Sequence, residues 1–366
     1  MRVGIVGAGS IALANAAWLG SQGHAVMLWS PRTGAIEVAA KADAEVVQGV
    51  DAPRVMHVQA SGVLQTSLNL AIASTAQQLC AAADVLLIAV PANAHKAVMD
   101  ALLPFLRSGH TVIVSSMASL SSLYLFEAAT RLGKLIAVAS FGTTVFTARR
   151  ESPTQVRVLT RRAALGVSAL PHGQTPTMLA LCTELFGDGF TPHAHTLASA
   201  LTNTNPAAHV PLALFNWTRI ERAEAWPQYH YMTPRVAAVI EQLDAERLAL
   251  AQAFGVQARS MEQHFAQSFG TQSVTLADIA SELHAKRGGP PGPTDLSTRY
   301  LSEDVPFGLV FCAALGRMAG VPMQATQTMI DAASLVAGQD FAQANDLLAP
   351  LALEQETVTG LLRRVS

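Results

Sequence analysis

The sequence predicts an α/β N-terminal domain on a largely parallel sheet, followed by an all-α C-terminal domain. Three observations carry this. Short apolar runs alternate with helical patterns through the first half, as they do where a parallel sheet has helices on both faces. The first of those runs opens into a glycine-rich turn and then a helical pattern. Beyond about Phe190 the strand signal fades, and apolar residues recur at helical spacing. The boundary is expected where Gly and Pro cluster, from Gly187 to His195, giving domains of 1–190 and 191–366.

Val3–Val6 is the first expected strand, Ile11–Ser21 a helix and Ala25–Trp29 the second strand. Val85–Val90 and Thr111–Ser115 are further strands around a helix over His95–Leu106, and Leu135–Ala139 is another. Polar–apolar alternation about a turn in TQVRVLTRRAALGVSALP predicts a hairpin near a sheet edge. In the second half, Val236, Val239, Ile240, Leu243, Leu250 and Phe254 trace one face of a helix that Gly255 ends. LADIASELHAKRG and VFCAALGRMAG repeat the style. Arg287–Asp295, RGGPPGPTD, is too rich in Gly and Pro for a helix; it reads equally as a surface connection or as a loop closing over a ligand.

Composition narrows the function. Half of the 366 residues are hydrophobic and 14% are charged, which suits a compact protein and argues against disorder. A net charge of -2 without any basic block argues against nucleic acid as a partner. Cys80, Cys182 and Cys312 lie far apart, with neither metal-ligand nor disulfide spacing, which fits a reducing compartment. The apolar runs are short and the N-terminus goes directly into a strand, so no membrane span or secretory signal is expected and the location is read as cytoplasmic. His193 and His195 have no third ligand, so no metal is expected. A homodimer is one assembly left open.

The strongest local signal is VGIVGAGSIALANAAWLG, where Gly7, Gly9 and Ala12 form G-x-G-x-x-A after a strand and into a helix. Such a turn lets a dinucleotide pyrophosphate approach the backbone, with the helix start at Ser10 and Ile11 offering free N–H groups. The first domain is therefore expected to be Rossmann-like. The second strand ends LWSPRTG, with Ser30, Arg32 and Thr33 and without the acid that usually holds the NAD ribose. A guanidinium and hydroxyls suit a 2'-phosphate, so NADP is favoured over NAD. Val90, Pro91 and Ala92 leave a strand at its carboxyl end and are candidates to flank the nicotinamide; Ser115 and Ser116 end the next strand.

Two stretches of the second half carry chemistry. In NTNPAAHVP, Asn205–Pro206 starts a helix that Pro211 is expected to disturb, with His209 at the disturbance. Histidine is the side chain best suited to proton transfer near neutral pH. In RYLSEDVPFGL, Ser302 is expected to cap a helix beginning at Glu303 and Asp304, with Pro306 in its first turn. A helix dipole accounts for those acids but not for Arg299 just before them.

Taken together, the glycine-rich start, NTNPAAHVP, YHYMTPRVAAVIEQLDAERLALAQAFG and RYLSEDVPFGL resemble the opine dehydrogenase family, of octopine/nopaline type, in order and over nearly the whole chain. The resemblance implies a nicotinamide-dependent condensation of an amino acid with a 2-oxo acid such as pyruvate, in a site between the two domains. It implies His209 as the catalytic histidine, Asp304 as the acid working with it, and Arg299 as the grip on a substrate carboxylate. Thr143 and Arg149 are further substrate candidates, although FGTTVFTARR has Gly142 where the family is expected to carry an acid, and no proline follows. Tyr229, His230 and Tyr231 are read as packing between helices before substrate contacts. Two alternatives stay open: an NADPH-dependent 2-oxo acid reductase of ketopantoate reductase type, and a non-enzymatic NADPH-sensing protein.

Overall fold

A computed structural model describes residues 1–31 and 54–366. Arg32 and Thr33, and with them the expected 2'-phosphate contacts, lie outside the described residues. The chain forms two compact units, Met1–Ser199 with Val365–Ser366, and Ala200–Arg364.

The strands of the first unit are β1 Arg2–Val6, β2 Ala25–Trp29, β3 Arg54–Gly62, β4 Thr66–Ile72, β5 Val85–Ile88, β6 Thr111–Val114, β7 Ala137–Phe141, β8 Phe146–Arg150, β9 Gln155–Arg161, β10 Leu165–Leu170 and β11 Phe190–Pro192. They form one sheet in the order β11-β10-β7-β6-β5-β1-β2-β4-β3-β9-β8. Its centre is parallel: β1 pairs with β2 and β5, β5 with β6, and β6 with β7. These short runs of Val, Ile, Leu and Ala are buried on both faces, as a parallel sheet under helices requires. The expected hairpin is corrected. β9 pairs antiparallel with β8 and parallel with β3, while β10 pairs with β7 and β11 toward the other end of the sheet. Alternation marked both strands, but partners are chosen by packing. The edge hairpin is β8–β9.

Five helices accompany the described part of this sheet: α1 Ser10–Ser21, α2 Ala76–Ala82, α3 His95–Leu102, α4 Ser121–Arg131 and α5 Thr175–Phe186. α1 has no polar face, and Ala12 through Ala17 and Leu19 are all buried. A helix that is apolar all round must be covered all round. β8 and β9 supply part of that cover: α1 touches β2, β3, β4, β8 and β9. Trp18 packs its ring 5.4 Å from Phe146 of β8 and donates from Nε1 to the Leu185 carbonyl at 3.0 Å.

The second unit is helical, and α6 Thr196–Leu201 leads into it. Then come α7 Asn205–Leu214, α8 Trp217–Glu221, α9 Pro234–Ala253, α10 Met261–Phe269, α11 Leu276–Arg287, α12 Arg299–Ser302, a π turn at Val305–Val310, α13 Phe311–Ala319, α14 Gln324–Ala337 and α15 Val358–Val365. α7 packs on α9, α12, α14 and the π turn. No helix among the described residues is long and apolar enough to cross a membrane.

Candidate active site

The glycine turn has the form that dinucleotide binding needs. Gly7 adopts φ +134°, and a Cβ there would lie 2.5 Å from the Ala89 carbonyl oxygen, so only glycine lets β1 turn this close to the end of β5. Its N–H donates to the Trp29 carbonyl at 2.8 Å. Ala12 is fully buried beneath the turn. By contrast, a Cβ on Gly9 would meet nothing within 4 Å. Gly9 occupies the cap position of α1 and no side chain caps it, so the first N–H groups, at Ser10 and Ile11, are left without a side-chain cap beside the open space at Gly9. That is where a pyrophosphate fits. Ser30 is buried at the end of β2.

Sequence reasoning overlooked two residues that build this region. Arg150 of β8 donates from Nη1 to the Ala8 carbonyl of the glycine turn at 3.0 Å, and from Nε and Nη2 to the Ser152 and Pro153 carbonyls. Arg149, the residue selected from the sequence, is its neighbour on β8, and both are exposed. The register shift between β8 and β9 leaves Leu159 of β9 without a partner on β8. The second residue is His95 at the start of α3. Its Nε2 donates to the Val90 carbonyl at 3.2 Å, and its Nδ1 accepts from Ser121 Oγ at 2.9 Å. Full burial holds its pKa down to about 4, so the ring is neutral and pins Val90, ahead of Pro91 and Ala92. The expected helix start made His95 visible; its burial was not.

Thr143 lies just past β7, where Arg162 donates from Nη2 to its hydroxyl at 3.3 Å and from Nε to the Thr144 carbonyl at 2.8 Å. Burial lowers the Arg162 pKa. Thr143 is thus held in place by a cation the sequence did not single out.

In the helical unit, His209 and Asp304 meet although 95 residues separate them. His209 sits in α7, which Pro211 does not break; the helix runs on to Leu214. Asp304 sits between α12 and the π turn. The expected cap is corrected: Thr298 caps α12, accepting from the Tyr300 N–H at 3.3 Å, whereas Ser302 donates to the Thr298 carbonyl. The π turn then places Gly308 against Pro206 of α7, where a Cβ would lie 2.4 Å from Pro206 Cγ. That close approach brings Asp304 Oδ2 to 2.8 Å from His209 Nδ1. A carboxylate only accepts, so Nδ1 carries the proton and Nε2 is left for substrate. Both side chains are 16% exposed: sheltered, yet reachable.

Arg299 is exposed, and its guanidinium forms no hydrogen bond or ion pair with any described residue. The Tyr300 ring lies parallel to the His209 ring, 3.9 Å between centroids and 3° between planes. Tyr229 packs edge-on to Phe265, and Tyr231 lies beneath the Arg219 guanidinium at 4.1 Å. The Gly/Pro stretch is tied down rather than loose. Gly292 donates to the Trp226 carbonyl at 2.7 Å, Trp226 Nε1 to the Pro293 carbonyl, and the Gln228 N–H to the Pro290 carbonyl.

A doubly wound sheet with this glycine turn, joined to a helical unit carrying a histidine–carboxylate pair, defines an NAD(P)-dependent dehydrogenase of two units. The family model for "NAD/NADP octopine/nopaline dehydrogenase, alpha-helical domain" matches residues 192–337, and that for "Ketopantoate reductase PanE/ApbA" matches residues 3–171. An opine dehydrogenase of Arthrobacter sp. (strain 1C) is 27% identical over 98% of this chain and 96% of its own. The structure of octopine dehydrogenase with NADH and L-arginine superposes with a TM-score of 0.78 at 19% identity, covering 99% of this chain and 98% of that one. Yersinopine dehydrogenase with NADP+ gives 0.75 at 16% identity, covering 97% and 98%. Over nearly its whole length the chain is thus similar to opine dehydrogenases of octopine/nopaline type.

Proposed function

We propose that the protein joins the amino group of an amino acid to a 2-oxo acid and reduces the product to a secondary amine dicarboxylate, or runs the reverse. The observation that carries this reading is the sheltered His209–Asp304 pair in a helical unit of octopine/nopaline type. A nicotinamide cofactor on the Gly7–Gly9 turn would supply the hydride. When the amine nitrogen bonds to C2 of the oxo acid, the carbonyl oxygen must leave as water. His209 Nε2 is the group assigned to deliver a proton to that oxygen and to take one from the amine. Asp304 holds the ring in the tautomer that frees Nε2 and stabilises the imidazolium. Both substrates carry carboxylates, and Arg299, free of protein partners among the described residues, is assigned to grip one of them. Thr143 and Arg149 are assigned further substrate contacts. NADPH is favoured over NADH because LWSPRTG, at the end of β2, carries no acid.

The ketopantoate reductase reading is favoured by the match over residues 3–171, which covers the cofactor-binding unit alone. Lys286 is the one lysine after residue 200 in the sequence, and it is paired with Glu282 at 2.6 Å. A reductase using lysine as its acid has no candidate there. The test follows NADPH absorbance with pyruvate and amino acids added singly. Oxidation requiring both substrates supports the proposal; oxidation with the oxo acid alone overturns it. His209→Ala should lower turnover by ~100-fold or more, while a sensing protein would tolerate the change.

A further inference from the structure

We infer that Tyr300 and Gln228 are positioning residues for His209, and that the Gly/Pro strap at residues 288–293 anchors them. The inference rests on the proposed role of His209. Tyr300 covers one face of the imidazole at 3.9 Å with the planes 3° apart. Rotation of the ring about its bond to Nδ1's partner would require Tyr300 to move as well. Tyr300 is itself buried and held at its far end, where Gln228 Nε2 donates to its hydroxyl at 2.5 Å. The same amide nitrogen donates to the Pro291 carbonyl at 2.9 Å, and the Gln228 N–H donates to Pro290. Gln228 is buried too. A continuous chain therefore runs from the strap through Gln228 and Tyr300 to the face of His209, while Asp304 holds the ring edge. The two supports are independent: the carboxylate selects the tautomer, and the stacked ring sets the plane in which Nε2 points.

The stack does more than fill space. A π face against imidazole favours the ring when it carries a positive charge. Burial raises the Tyr300 pKa, so the phenol keeps its proton and the ring stays neutral. Arg299 and Asp304 are the charged groups that act on Tyr300, with Tyr229 beyond them. Arg299, Tyr300 and Asp304 thus come from one six-residue stretch, in which Tyr300 meets the face of the His209 ring and Asp304 its edge.

Three variants test this: Tyr300→Leu, Tyr300→Phe and Gln228→Leu. Tyr300→Leu should lower kcat by roughly 10- to 100-fold, the scale of a misplaced catalytic group, with the KM of each substrate and the cofactor Kd within about threefold. Tyr300→Phe keeps the stack and should recover most of the loss. Gln228→Leu should match Tyr300→Phe, and their double variant should be no worse than either. An unchanged kcat in Tyr300→Leu, or a loss carried in KM, overturns the inference, as does a Tyr300→Phe that is no better than Tyr300→Leu. A second readout needs no turnover. The His209 ring protons, identified with His209→Asn, should show an upfield ring-current shift that Tyr300→Leu removes and Tyr300→Phe keeps. Absence of that shift in the wild-type protein overturns the stack itself. Absence of opine synthesis with the shift intact overturns the proposed function instead.

Discussion

Asp304→Asn is the sharpest test of the catalytic pair. The substitution preserves size and leaves an acceptor oxygen near His209 Nδ1, but removes the negative charge. The two side chains meet at 2.8 Å with 16% of each exposed. Two unit charges in such contact interact by roughly 4 kcal/mol at an effective dielectric of about 20. Partial access of water reduces this to about 2–3 kcal/mol, which is roughly 30- to 150-fold in rate if it is felt in the transition state. An asparagine can also present its NH2 group to Nδ1, forcing the wrong tautomer and deepening the loss. The assay is pre-steady-state NADPH oxidation at saturating amino acid and oxo acid, with cofactor affinity measured by fluorescence. The loss should fall on the hydride-transfer phase, with cofactor Kd within about threefold. A rate within about threefold of wild type would refute the reasoning, because a carboxylate in this contact could not then be supporting a charged imidazole.

Other expectations follow from neighbouring geometry. Arg299→Ala should raise the KM of one carboxylate substrate by roughly 10- to 100-fold, a charge-assisted pair being worth about 1.5–3 kcal/mol; unchanged KM for both substrates would remove its role. Arg150→Ala frees the Ala8 carbonyl and the edge hairpin from each other, so it should weaken cofactor binding by several-fold with kcat at saturation retained, checked by calorimetry. His95 carries a pH signature. It is neutral in the folded protein down to about 4, whereas the unfolded chain binds that proton near 6.5. The unfolded state binds more protons in that window, so stability is full above about pH 6.5 and falls as pH drops toward about 4, by on the order of 3 kcal/mol. In His95→Gln the fall in Tm across this window should be shallower, and an equal fall would contradict the assignment.

Much of this protein is legible from local sequence because the physics involved is local. A strand, a G-x-G-x-x-A turn and an apolar helix follow one another within 21 residues, and the backbone conformation at Gly7 leaves little choice of what they form. The helical period from Val236 to Phe254 is equally self-contained. The likeness of NTNPAAHVP and RYLSEDVPFGL to the family's motifs singled out His209, Asp304 and Arg299. Partnership was not legible. Alternation told that residues 155–161 and 165–170 are strands, but not that they sit far apart in the sheet, because pairing is decided by which faces need cover, here those of α1. Nor could it tell Arg150 from Arg149, since both are exposed on β8 and only the tertiary structure shows that Arg150 reaches the Ala8 carbonyl. The His209–Asp304 contact depends on a wide π turn and on a glycine that fits against Pro206. The parallel ring of Tyr300, next in sequence to Arg299, likewise becomes part of the site only when α12 packs on α7. Sequence alone determined which chemistry this chain could perform; only the tertiary structure decided which groups stand close enough to perform it, because hydrogen bonds and ring stacks act over a few ångströms of space and not along the chain.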